Sequence, residues 1–136
     1  MAGTFSIDLG KFAKKTQLKT NAVIRRLFFD ASRRVVMRTR VLSGRARANW
    51  IPSIGAMATG TTNALDPQGS ATLAAVRGTS KGFVPGTIAY LTNNLPYIRP
   101  MEYGEHNFQR IGPTGMVGIT MVEMKTIVDD ALKETS

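Results

Sequence analysis

Apolar side chains return every three or four residues along 18–41, LKTNAVIRRLFFDASRRVVMRTRV, and this spacing predicts one long amphipathic helix. Val23 or Ile24, Leu27, Ala31 and Val35 form its stripe, Arg38 or Leu42 ends it, and Phe28 and Val36 widen it. Ser43-Gly44 is a natural stop, because glycine takes the left-handed conformation after a helix without a Cβ penalty. At about 1.5 Å per residue such a helix is about 36 Å long, more than a small core needs. A second helical pattern covers about 116–133, where Val117, Met121, Met124, Val128 and Ala131 or Leu132 recur, with Glu123, Asp129, Asp130 and Lys133 on the wet side.

Between these helices the pattern is shorter in range. Phe5, Leu9 and Phe12 suggest a lead-in helix over 5–16, and Asn49–Pro52 an extended piece. Residues 55–70 are rich in Gly, Ala and Thr and read as a loop with few large anchors. Asp66-Pro67 opens a brief helix to about Val76, with Asp66 as its cap, and Gly78–Gly82 is a turn. Phe83-Val84 and Gly86–Thr92 read as strand, Tyr97–Gly104 as a single helical turn on the sheet, and 105–115 as a second polar loop. The expected core joins Leu27, Ala31 and Val35 to Ile88, Tyr90, Met121, Met124 and Val128. The class is α+β: N- and C-terminal helices on a small antiparallel sheet, with long Gly/Thr-rich loops, in one domain over 1–136.

Composition then narrows the chemistry. The chain has no Cys, which excludes disulfides, thiolate catalysis and Cys-ligated zinc. No run approaches the roughly 18 apolar residues of a membrane span, and the first residues lack the pattern of a secretory signal. Net charge is +9, but residues 1–47 hold 12 Lys and Arg against only Asp8 and Asp30. Beyond residue 47 the two signs nearly balance, so the excess belongs to the long helix and its flanks.

Candidate reactive groups are sparse. The single histidine, His106, has Glu102 and Glu105 near it, too small a set for a metal site, and Asp129-Asp130 lies on a wet helical face. Neither a phosphate-binding GxxxxGK[ST] nor a dinucleotide GxGxxG is present. No catalytic residue, metal or cofactor is therefore assigned. The arginines remain: Arg25, Arg26, Arg33, Arg34, Arg38 and Arg40 offer forked donors to a lumen or to DNA, and Arg45 and Arg47 follow the turn. No aromatic residues interleave them for base stacking, since Phe28 and Phe29 fall on or beside the apolar stripe. Tyr97, Ile98, Met101 and Tyr103 cluster between Pro96 and Gly104 and suit a subunit contact, with Glu102 placed to meet Arg45 or Arg47 of a neighbour.

The order of these features resembles the tail-completion or neck proteins of long-tailed bacteriophages, also described as minor tail or head–tail joining components. The matching pieces are Ser43-Gly44-Arg45 with Trp50-Ile51, Ala89-Tyr90, and Pro96-Tyr97-Ile98 running into Met101-Glu102-Tyr103-Gly104, followed by a loop and a last helix from about Met116. The family's threonine-glycine appears as Ser43-Gly44, and its proline-rich stretch is reduced to Pro113. The resemblance implies a virion structural protein, made in the host cytoplasm and located at the head-proximal end of the tail. It implies a homo-oligomer, usually a hexameric ring, that meets the tail tube protein and a head-closure or connector protein, with non-specific contact to passing DNA and no membrane. Two other readings stay open: a DNA-binding or packaging accessory protein using the basic 25–47 region, and another minor capsid or connector component.

Overall fold

The computed structural model describes residues 5–6, 21–41, 43–84, 86–104 and 115–135. In chain order the elements are β1 (Phe5–Ser6), α1 (Asn21–Arg38), α2 (Arg45–Ala48), β2 (Ile51–Ile54), α3 (Ser70–Lys81), β3 (Ala89–Asn93), α4 (Ile98–Tyr103), α5 (Gly115–Val122) and α6 (Met124–Thr135). The fold is α+β. The three strands are antiparallel in the order β1-β3-β2, with Ile51 opposite Thr92 and Ile54 opposite Ala89. Phe5-Ser6 pairs with Asn93-Thr92 as strand rather than starting a helix, and the rest of the expected lead-in helix lies outside the described residues.

The stripe on α1 organises the core. Val23, Ile24, Leu27, Phe28, Ala31, Val35 and Val36 are all buried, as their spacing requires of a helix with one face inward. Against this face pack α3, α5 and α6, while β2 meets the other side of α3. Leu91, Trp50, Ile98, Met116 and Ile127 complete the core. Leu27→Ala is expected to lower the unfolding free energy by about 2–5 kcal/mol and Val128→Ala by less, since fewer atoms leave. Denaturant titration of the two variants checks this, and losses near 0.5 kcal/mol at both would place the core elsewhere.

Several boundaries differ from the sequence reading. The middle helix begins at Ser70, not Asp66, and runs through Gly78 to Lys81. Asp66 still serves it from a distance: its carboxylate accepts the Thr72 backbone N–H at 2.8 Å, within the helix's first turn. Burial pushes the Asp66 carboxyl up, but hydrogen bonds from Thr72, Ala71 and Gly69 outweigh that and hold it below its usual value. On β3 the inward residues are Ala89 and Leu91, while Tyr90 and the preceding Ile88 are only half-buried.

The C-terminal helix is divided at Glu123, and Met121 is exposed. Its inward stripe runs through Val117, Thr120, Met124, Ile127 and Ala131. The Thr120 hydroxyl donates to the Met116 carbonyl one turn back, a bond that bends helices. The segment 55–69 holds no helix or strand, yet it is fastened to the domain. Asn49, fully buried, donates to the Thr62 carbonyl at 3.0 Å and accepts the Thr62 N–H at 2.8 Å, and Asn94 donates to the carbonyls of Ala58 and Gly60.

Candidate functional site

Arg45 and Arg47 leave α2 and turn inward to backbone carbonyls. Arg47 donates to Thr39 O at 3.0 Å, Met37 O at 2.8 Å and Pro67 O at 2.7 Å. The first two belong to the end of α1, where carbonyls lack helical partners and the dipole favours a cation. Arg45 donates to Thr62 O at 3.1 Å. The turn before them is tight: Gly44 has φ 93°, and an added Cβ would lie 2.7 Å from Pro67 Cδ. Both arginines therefore brace the α1–α2 corner and the 55–69 segment, which corrects their expected pairing with Glu102 of a neighbour.

Glu102 is 2 % exposed and is occupied within the chain. Its two carboxylate oxygens accept the N–H groups of Val117 at 2.9 Å and Gly118 at 3.0 Å, in the first turn of α5. A carboxylate at a helix N-terminus satisfies orphan donors and complements the positive end of the dipole. Gly115 makes the approach possible: φ is 82°, and a Cβ there would lie 2.6 Å from the Glu102 carboxyl carbon. Glu102 is thus an internal clasp between α4 and α5, not a charge presented outward. Ile98 and Met101 on the same helix are core residues, and Tyr97 packs against the core while half-buried. Of the expected contact cluster only Tyr103 is exposed, with the Arg99 guanidinium 5.5 Å from its ring centroid.

The five arginines of α1 and Arg40 just beyond it separate by environment. Arg34 and Arg38 both reach Glu123, Arg34 at 3.2 Å, and Arg38 also donates to Thr120 Oγ1 at 3.1 Å. They tie α1 to the bend between α5 and α6, so part of the charge expected to face a lumen or DNA is matched within the chain. The Arg38 hydrogen bond holds the Glu123 carboxyl below its usual value; burial opposes this and Arg34 adds to it. Arg26 pairs with Asp30 at 3.2 Å, and Arg25 donates to Phe83 O at 3.3 Å. Arg33 and Arg40 are exposed.

A lowered carboxyl pKa in the folded state contributes stability that is present above the unfolded value, roughly pH 4.3 for glutamate, and is lost as pH falls through the folded value. Wild type should therefore be more stable than Glu123→Gln at neutral pH, with the gap closing in acid. Melting temperatures of both proteins from pH 7 down to pH 3 measure it, and a constant gap would remove the charge contribution.

Among the described residues no group of three or more His, Cys, Asp or Glu is placed to hold a metal ion, and no helix is long and apolar enough to cross a membrane. His106 and Glu105 lie outside the described residues. No family model, curated protein or solved structure matches the chain.

Proposed function

We propose that this chain is a virion structural protein that completes or caps the tail tube of a long-tailed bacteriophage and helps join tail to head, acting by ring assembly rather than by catalysis. The observation that carries the reading is the Tyr97–Gly104 element. It follows β3 directly, wedges Ile98 and Met101 into the core, clasps the last helical region through Glu102, and leaves Tyr103 with Arg99 at the surface. Of these features, the position after a strand is the one that the resemblance of the YI…MEYG segment implies. Apolar surface suited to neighbours lies elsewhere on the subunit: Met57, Leu65, Val84 and Val122 expose 51, 61, 57 and 76 % of their surface. A ring joins unlike faces, so exposed apolar residues on different elements can serve heterologous contacts.

The reading is tested with purified tail tube protein. Mixed with assembled tubes, the chain should sediment with them and appear at one tube end in negative-stain images. Val122→Asp should fold normally by circular dichroism yet lose this capping. Tubes that neither bind nor cap with the wild-type chain would refute the proposed station.

A further inference from the structure

The antiparallel pair α1 and α3 presents an outward face whose charge has one sign. Arg33 on α1 and Arg77 and Lys81 on α3 are exposed. Arg77 lies with its guanidinium 4.4 Å from the centroid of the Phe29 ring, one turn from Arg33 on the same side of α1, which brings the cations of the two helices together. Lys81 follows Arg77 by four residues, and Arg40 is exposed two turns beyond Arg33. The only acid in α1 is Asp30, buried and paired with Arg26, and α3 contains none. Arg77 and Lys81 come from outside the basic 25–47 stretch, so this row is created by folding.

We infer that this face binds the phosphate backbone of duplex nucleic acid without regard to sequence. From Arg33 through Arg77 to Lys81 the row extends for about 12 Å at 1.5 Å per residue, which corresponds to about three or four phosphates of one strand at 3.4 Å each. The cations alternate with small side chains: Ser70, Ala71, Ala74, Ala75 and Gly78 are all exposed on α3. The small residues of α3 let a phosphate ridge approach closely, beside Met37 of α1, which is 41 % exposed one turn beyond Arg33. No Asn or Gln occurs in α3, so that helix lacks the amide side chains that pair with adenine edges. Phe29 lies beneath Arg77 and orients it, leaving the guanidinium fork for phosphate.

The inference concerns the single subunit and stands independently of ring formation. Binding of a 30-base-pair duplex of arbitrary sequence is measured by fluorescence anisotropy across a salt series. The Arg33→Gln, Arg77→Gln, Lys81→Gln triple variant should lower affinity by about tenfold or more at low salt and flatten the log–log salt slope by about 2–3. A matched variant, Arg99→Gln, Lys125→Gln, Lys133→Gln, removes equal charge from another surface and should bind nearly as the wild type does. Equal losses in both variants would mean that net charge alone attracts DNA, and would overturn the assignment. So would an unchanged triple variant whose folding is intact by thermal melting. Polyglutamate provides the remaining arm: binding as tight as that of the duplex, and lost in the same triple variant, would assign the face to an acidic protein instead.

Discussion

Replacing Trp50 by Ala should lower the unfolding free energy by about 3–5 kcal/mol, a large fraction of the roughly 5–15 kcal/mol that holds a typical domain folded. Trp50 is 1 % exposed and lies where β2 leaves α2, so its indole fills the junction between helices and sheet. It is also polar at one end. The indole N–H donates to Thr39 Oγ1 at 2.8 Å, and that hydroxyl donates in turn to Val35 O at 2.8 Å, closing the end of α1. Trp50→Phe keeps most of the ring volume and loses only the donor, so its cost should be clearly smaller. Urea unfolding of the pair separates packing from hydrogen bonding, provided the m-value is unchanged. Equal losses would mean that the indole N–H, not the ring volume, dominates.

Glu102→Ala should cost about 2–4 kcal/mol, because two N–H groups in the first turn of α5 lose their acceptors while the site stays buried. Glu102→Gln retains one acceptor oxygen and should lose a smaller part. Glu102→Arg should be the most damaging of the three, since it places a cation against the positive end of a helix in a buried site. An interfacial Glu102 would behave otherwise, leaving a folded subunit unable to assemble after charge reversal. Circular dichroism melts of the three variants decide between these outcomes, and a native-like Glu102→Arg chain would contradict the clasp.

The long helix was legible because apolar residues recur at 23, 24, 27, 28, 31, 35 and 36 and outnumber the buried polar pair Asp30 and Ser32. Where a polar residue faces inward, the pattern misleads. Thr120 is fully buried but polar, so the eye passes to Met121, which is 45 % exposed. Around β3 both faces carry apolar residues, so alternation alone does not separate Ile88 and Tyr90 from the inward pair Ala89 and Leu91. Gly78 reads as a turn, but the helix continues through it at a propensity cost of about 1 kcal/mol because Val76 and Ser80 are buried on either side.

The candidate surfaces were less legible than the core. An arginine in a sequence carries no mark of which carbonyl or carboxylate will approach it. Arg47 meets the end of α1 only because Gly44 permits the tight turn, and Arg34 and Arg38 meet Glu123 across more than 80 residues of chain. Glu102 follows the same logic, since its partners are backbone N–H groups that no residue type announces. The cationic face likewise depends on the antiparallel packing of α1 and α3, which brings Arg77 over Phe29.

Light-scattering mass determination of the purified chain, alone and with tail tube protein, tests ring assembly most directly. The expected result is a discrete closed oligomer, a hexamer, formed by the chain itself or upon meeting the tube end. A mass equal to one chain, 14.8 kDa, at every concentration and unchanged by the tube protein would contradict it.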